Sequence, residues 1–514
     1  MIKIFIDEKP FEVEGETTIL KAAEQAGIPI PHLCYHPAFS PEGSCRMCLV
    51  EIEGLPKLEL ACSTVVRDGM KVYTKSERVV EARRAVLEFL LAEHPIDCPI
   101  CDKAGDCKLQ DYYQEHGLFE SQFREKKEKR EKKVRIGKTL LLDQERCILC
   151  TRCVRFLKEV TKTQELGVFN RGLHTEINIY NGTPVNNNYS GNLAEICPVG
   201  AITDEDFRFK TRSWFLEEGP SVCPLCSRGC NILIEYHKGF PQFPLPKRVY
   251  RIKSLENQEV NGHWICDLGR YGYSYLDRDR LERIIGPEKV LARENVTQLL
   301  AEQIRRLNFM KKTQRITLIL NSWLSNEEIF LIRKIFCQDL GVEKIFFVDP
   351  HQGETDDFLL TAERSPNQKG AQELDIELKP VDLEVLVDST DFLIVFGPFL
   401  QEHFSMAEIK EVLDQIETKF LFTPHASELN SLFDIVLPTA YIAEKQGSLT
   451  NLEGKIQHFR AVLEPIGDTQ PEWKMLVNLG KELRINFTYY RQFNSVEAVF
   501  QEMANEFRFF RGEK

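Results

Sequence analysis

The sequence has little positive charge to spare. Lys and Arg number 66 against 78 Asp and Glu, a formal net charge of −12. That balance excludes the broad basic footprint of a nucleic-acid binder. No run of 18 apolar residues occurs, so no transmembrane helix is expected. The opening MIKIFIDEKPFEVEG lacks a basic stretch followed by an apolar one, so no signal peptide is expected. Any link to a membrane would then run through partners. There is no GxGxxG or other glycine-rich phosphate loop, the usual cradle for a dinucleotide. An obvious nucleophile–base set and a repeat at fixed period are also missing. What remains is a chain of 514 residues, 43% hydrophobic and 28% charged, enough for about three or four folded domains.

Cysteine, by contrast, is plentiful and clustered. Fifteen of the 16 cysteines lie between residues 34 and 266, and only Cys337 lies beyond. Without a secretory signal, such clusters point to metal ligands rather than disulfides. They form four groups, three of them complete fours.

The first is Cys34-x10-Cys45-x2-Cys48-x13-Cys62. Zinc ribbons use two separated CxxC pairs, and here there is one. A lone cysteine, a close pair and a distant cysteine follow the logic of a plant-type [2Fe-2S] centre. Gly43 and Ser44 leave room for backbone N–H groups to approach the sulfurs. The third group, Cys147-x2-Cys150-x2-Cys153, is the front of a bacterial ferredoxin motif. Leu157 stands where the motif's fourth cysteine would be, so the missing ligand is expected from the distant Cys197-Pro198. The fourth group, Cys223-x2-Cys226-x3-Cys230 with remote Cys266, suits a [4Fe-4S] cluster better than zinc, which spacing leaves open.

The second group has only three cysteines, in His94-x3-Cys98-x2-Cys101-x5-Cys107. Spacing alone also allows a zinc site of three cysteines and one histidine. The iron–sulfur pattern of the neighbouring groups and the deficit of one ligand favour His94 as the fourth ligand of a [4Fe-4S] cluster. A neutral imidazole in place of a thiolate would, alone, raise the potential. His32 and His36 lie beside Cys34, whose group is already complete, and are read as supporting or surface residues.

Alternation of apolar and polar residues predicts a strand pair across DEKP, then a helix in TTILKAAEQAG capped by Thr17 and stopped by Gly27. Strands follow in CLVEIEG, LELACST and MKVYT. TKSERVVEARRAVLEFLLAEH reads as a helix with a Thr74–Glu77 capping box, an apolar stripe at Val79, Val80, Val86, Leu87, Leu90 and Leu91, and His94 at its end before Pro95. The charged run REKKEKREKK (124–133) reads as a solvated connector. After Cys266, the strands RITLILNS, KIFFVDP, DFLIVFGP and KFLFTPH alternate with the helices NEEIFLIRKIFCQDLG and MAEIKEVLDQIE, which predicts a parallel α/β domain.

These groups, in this order, resemble the iron–sulfur G subunit (75-kDa type) of respiratory complex I. The residues that carry the resemblance are GSCRMCLVEIEG, LACSTVVRDGMKVYT, HPIDCPICDKAGDCKLQD, RCILCTRCVRF, SGNLAEICPVGAIT, and CPLCSRGC with NGHWICDLGRYGY. More weakly, EKQGSLTNLEGKIQ and the α/β tail resemble part of a molybdopterin oxidoreductase. The resemblance implies an α+β multidomain chain: a β-grasp [2Fe-2S] ferredoxin-like domain (1–78), a histidine-ligated [4Fe-4S] segment (79–118), a ferredoxin-like [4Fe-4S] domain (119–215), a molybdopterin-oxidoreductase-type [4Fe-4S] domain (216–285) and a truncated α/β domain (286–514). It implies one [2Fe-2S] and three [4Fe-4S] clusters; the shortness of the tail argues against molybdopterin. Electrons from a partner flavoprotein carrying FMN and the NADH site would enter the [2Fe-2S] cluster. They would then pass through the Cys147 and His94 cubanes toward quinone, with the Cys223 cubane off the path. No NADH or quinone site is expected in this chain. The expected partners are that flavoprotein and other peripheral-arm subunits, with the membrane arm reached indirectly. The expected location is the cytoplasmic side of the cell membrane, as a peripheral subunit. The competing reading is the electron-transfer subunit of an NAD-linked hydrogenase or formate dehydrogenase.

Overall fold

The computed structural model describes residues 1–117, 120–239, 247–286 and 292–512. The chain forms two compact units, Met1–Leu216 and Glu217–Lys514. The domain boundary expected at 118/119 lies outside the described residues.

In the first unit, strands Ile2–Ile6 and Lys9–Val13 pair antiparallel. Asp7 and Glu8 join them with φ of 47° and 69°, the left-handed pair that a two-residue hairpin requires. Ile2–Ile6 also pairs in parallel with Lys71–Tyr73, and Leu49–Ile52 and Glu59–Leu60 complete a five-stranded sheet. Ile4, Ile6, Val13, Val50 and Val72 are buried from the sheet, against Ile19, Leu20 and Ala23 of the helix Ile19–Gln25. The helix is capped by Thr18, one residue after the expected Thr17.

The helix Glu77–Glu93 forms where the apolar stripe predicts. Val79 and Leu87 are buried, and the other four stripe residues are half-buried. Its N-cap is Ser76, whose hydroxyl accepts from Val79 N. The expected Thr74 cap is displaced by a long-range bond: Thr74 N and Oγ1 both donate to the Asp7 carboxylate, at 2.7 and 2.5 Å.

The basic run is more than a solvated connector. Lys127 Nζ donates to the Leu91 and His94 carbonyls at 2.6 and 2.5 Å, closing the C-terminus of that helix, where a cation also opposes the helix dipole. Arg130 donates to the Thr175 and Leu173 carbonyls. Lys132 is 2.6 Å from Glu145 and 3.6 Å from Asp97.

The second unit opens with an antiparallel sheet of Glu217–Val222, Asn231–Tyr236 and Val249–Ser254. A five-stranded parallel sheet follows, in the order Lys344–Phe347, Ile316–Leu320, Phe392–Phe396, Thr418–Thr423, Ile435–Pro438. Helices cover both faces, including Asn326–Ile332 and Met406–Leu413 where the sequence pattern placed them. The fifth strand, in FDIVLPTA, was not expected. It is only four residues long and ends on proline, which hides it from period counting. Strand order reverses between Ile316–Leu320 and Phe392–Phe396, the switch point at which doubly wound sheets open a crevice.

Candidate iron–sulfur centres

The first group is buried: Cys34 and Cys62 are 0% exposed, Cys48 1% and Cys45 8%. The backbone N–H groups of Leu33 and Cys34 donate to Cys45 Sγ, both at 3.4 Å. Gly43 and Arg46 take left-handed φ of 67° and 58°, so the loop curls back on itself as the small residues suggested. The thiols meet two and two, Cys34 with Cys45 and Cys48 with Cys62. The bond from Cys45 lowers Cys34 to about 5, and the bond from Cys48 lowers Cys62. Two pairs are what a two-iron cluster needs, one pair for each iron. His32 Nδ1 meets the Ile30 carbonyl at 2.9 Å and His36 Nδ1 accepts from Ala38 N at 3.2 Å, so both rings are engaged with backbone.

His94 is the C-cap of the helix Glu77–Glu93, in extended backbone. A short 3-10 turn carries Cys98, and Cys107 is the N-cap of the helix Lys108–His116. Cys101 is within electrostatic range of Cys98 and Cys107, and it shares the neighbours Asp97 and Arg146 with His94. Burial pushes His94 down to about 4, so its imidazole is neutral at pH 7, the form that binds a metal. Among the described residues its buried Nδ1 has no hydrogen-bond partner. A buried polar atom left unpaired is unfavourable and calls for an explanation.

In the third group, Cys147, Cys150, Cys153 and Cys197 line one small cavity with Leu142, Ile148, Ile177, Val199 and Ile202. Leu149 and Thr151 both adopt left-handed φ, 52° and 57°, which wraps the local three cysteines around the space. Cys197 closes it from the end of the helix Asn192–Ile196. Leu157 is fully buried. Burial, reinforced by Cys150, raises Cys147 to about 12; burial, reinforced by Cys197, raises Cys150 to about 11. Burial and the neighbouring sulfurs also hold Cys153 well above the ordinary thiol value. As free groups these thiols keep their protons, and only a metal's positive charge would hold them together as thiolates.

The fourth group belongs to the second unit. Cys223 N donates to the Cys230 carbonyl at 2.8 Å across the turn between the first two strands. Cys266 caps the helix Asp267–Tyr271 and accepts from Gly269 N at 3.4 Å. A Cβ on Gly269 would lie 3.2 Å from Cys223 Sγ and 3.8 Å from Cys266 Sγ, so the remote cysteine converges on the local three. All four are at most 5% exposed.

Among the described residues, no three His, Cys, Asp or Glu side chains converge as they would on a single ion. A cubane places each of its four protein ligands on a separate iron, so its ligands need not meet at one point.

The second and third groups share a wall. Lys108 N donates to the Pro198 carbonyl at 3.1 Å, and a Cβ on Gly200 would sit 2.3 Å from Cys101 Sγ. Gly200→Ala is therefore expected to displace Cys101. If His94, Cys98, Cys101 and Cys107 hold a cluster, its EPR signal should broaden or be lost while the [2Fe-2S] signal stays unchanged; an unchanged spectrum would contradict this packing.

The second unit also holds a cavity of about 560 Å³, which the sequence did not reveal. It lies at the carboxyl ends of the parallel strands, at Asn321, Gly397 and Pro424, walled by Tyr275, Trp323, Phe399 and Tyr441. Lys445 Nζ lines it and lies 2.8 Å from Glu328 and 2.9 Å from Glu472. Burial, aided by the charge of Glu328, raises Glu472 to about 8, and burial raises nearby Glu327 to about 7. Both carboxyls bind a proton more tightly folded than unfolded, so their contribution is complete below the usual value of 4.5 and is lost as pH rises toward 8. Unfolding free energy of this unit should decline across that window, and less steeply in Glu472→Gln. Urea unfolding at several pH values checks it, and identical slopes for the two proteins would contradict it.

Known protein families match the segments that carry the first three groups. Residues 1–77 match a 2Fe-2S iron-sulfur cluster binding domain, and residues 83–122 the NADH-ubiquinone oxidoreductase-G iron-sulfur binding region. Residues 137–203 match the ferredoxin-like domain of NADH-quinone oxidoreductase subunit 3. Further on, residues 388–482 match molybdopterin oxidoreductase. The NADH-quinone oxidoreductase G subunit 2 of Rhizobium meliloti (strain 1021) is 42% identical over 285 residues, which are 55% of this chain and 32% of that protein. The NADH-ubiquinone oxidoreductase 75 kDa subunit of Reclinomonas americana is 38% identical over 350 residues, 67% of this chain and 49% of that protein. The chain is a homologue of these subunits. The NADH-quinone oxidoreductase G subunit of Streptomyces coelicolor, 36% identical over 363 residues, extends the match to 70% of this chain and 42% of that protein. The chain thus spans a third to a half of the length of these relatives. A crystal structure of an NAD+-reducing [NiFe]-hydrogenase in the H2-reduced state aligns at 35% identity over 41% of this chain and 90% of that one, with a TM-score of 0.37. At that score the alignment bears on neither fold nor function. No helix among the described residues is long and apolar enough to cross a membrane.

Proposed function

We propose that this protein is an iron–sulfur electron-transfer subunit of an NADH-quinone oxidoreductase. It would carry electrons from a partner FMN/NADH flavoprotein toward quinone, as a peripheral subunit on the cytoplasmic side of the membrane. The observation that carries the reading is the set of fifteen cysteines and one histidine in four groups, three of them within segments that match iron–sulfur domains of this family. Cys34, Cys45, Cys48 and Cys62 would hold a [2Fe-2S] cluster in a β-grasp domain. Three [4Fe-4S] clusters would be held by His94 with Cys98, Cys101 and Cys107; by Cys147, Cys150, Cys153 and Cys197; and by Cys223, Cys226, Cys230 and Cys266. When bound, the clusters supply the one-electron chemistry. The chain fixes their separation, excludes water and sets their surroundings.

The C-terminal domain serves as a scaffold without molybdopterin. Two features support this: the Lys445 ammonium is already held by the carboxyl groups of Glu328 and Glu472, and no cysteine is among the described residues that line the cavity. Stoichiometric molybdenum in the purified protein would overturn it. Co-purification tests the whole assignment. A flavoprotein together with quinone-site and membrane subunits is the expected result; a hydrogenase or formate dehydrogenase catalytic subunit in their place would reassign the chain.

A further inference from the structure

The helical turn that starts at Arg152 lies between the Cys34 loop and the Cys147 group, and its two arginines reach both. Arg155 donates through Nη2 to the carbonyl of Cys34 and, at 3.2 Å, to the carbonyl of Cys150. Its Nη1 donates to the Ser40 carbonyl at 2.8 Å, and its guanidinium packs over the Phe39 ring at 5.4 Å. Arg152 donates to the Tyr35 carbonyl and, at 3.1 Å, to the Ile196 carbonyl next to Cys197. One turn on, Glu159 accepts from Ser40 N at 3.0 Å and fastens the same loop.

Both guanidinium groups are deeply buried, Arg152 at 5% and Arg155 at 6% exposure. Among the described residues neither forms an ion pair with a carboxylate. Their oxygen acceptors are backbone carbonyls, apart from the Thr151 hydroxyl that Arg155 Nε reaches at 3.2 Å. Arg152 Nε is buried with no acceptor. Two adjacent buried cations matched only by dipoles are unfavourable unless an anion lies nearby. The ionisable neighbours of Arg152 that oppose its charge are Cys150, Cys197 and Cys34. With iron bound, those sulfurs are thiolates, and a cluster with four thiolates carries net negative charge that grows by one on reduction.

We infer that Arg152 and Arg155 are positioning residues and the shared counter-charge of the Cys34 and Cys147 centres, raising both potentials together. The inference rests on the cluster reading proposed above. In each centre the reduction adds one electron and no proton, so a nearby fixed cation favours the reduced form.

EPR-monitored redox titration of the full, cluster-loaded chain tests this. The wild-type protein must show both signals, which examines the cluster reading separately. In Arg155→Gln, both centres are expected to shift toward the oxidised form by about tenfold in equilibrium constant, or ~59 mV for one electron. Arg155→Lys should restore both. Unshifted potentials in an Arg155→Gln protein that retains its clusters would overturn the inference. If Arg155→Gln loses either cluster, Arg155→Lys decides. Both clusters at wild-type potentials in that variant support the charge role, and loss of clusters there too assigns Arg155 to structure alone and overturns it.

Discussion

His94→Ala is expected to abolish or transform one cluster and leave the other three intact. The imidazole is neutral and has a buried nitrogen with no partner among the described residues. It sits at a helix end that Lys127 and Pro95 hold in place. In the proposed four-iron site, removing the ring would take one ligand and leave three cysteines. EPR of the reduced variant should lack the normal signal of this centre, and its iron content should fall by about one atom if the cluster is transformed and about four if it is lost. His94→Cys restores a ligand with an extra negative charge. It should regain a cluster at lower potential, because a thiolate replaces a neutral donor. A His94→Ala protein with an unchanged [4Fe-4S] spectrum would show that the histidine is a bystander.

Lys445→Met should be the most damaging single change in the C-terminal unit. The ammonium group is 2% exposed, between Glu328 at 0% and Glu472 at 9%. Removing it leaves the Glu328 carboxylate buried without its cation, beside a Glu472 carboxyl that burial pushes up to about 8. Breaking a buried ion pair from one side costs about 3–5 kcal/mol, since the remaining charge is uncompensated. Methionine keeps much of the side-chain volume, so the loss reports charge rather than a cavity. Urea unfolding of this unit should show the loss, and adding Glu472→Gln should recover part of it, as coupled neighbours do. A loss below about 1 kcal/mol would contradict the view that this buried cation is needed to balance Glu328.

The cysteine groups were legible because ligand spacing is local. Each group places at least three candidate ligands within 15 residues, and Cys197 and Cys266 were proposed as fourth ligands because the local runs at Cys147 and Cys223 are one short. His94 was proposed as a ligand for the same reason, a deficit of one. The helix Glu77–Glu93 followed from its stripe, but its cap did not. Thr74 has the right chemistry for a cap and is claimed by Asp7, 67 residues away. Lys127, Arg130 and Lys132 look like solvent-facing charge in sequence. Their carbonyl and carboxylate partners lie on elements that only the fold brings near. Arg152 and Arg155 escaped notice similarly, since an arginine beside a cysteine on a helix has no local signature. The 560 Å³ cavity depends on strand ends meeting at one edge of a five-stranded sheet, and no window of sequence contains that.

Low-temperature EPR of the dithionite-reduced chain, with iron and zinc counted in the same sample, tests the central claim most directly. The expected spectrum contains one [2Fe-2S] signal and [4Fe-4S] signals from three further centres, with negligible zinc. No reducible cluster signal, together with about four zinc ions per chain, would show that these four groups hold a shape and carry no electrons.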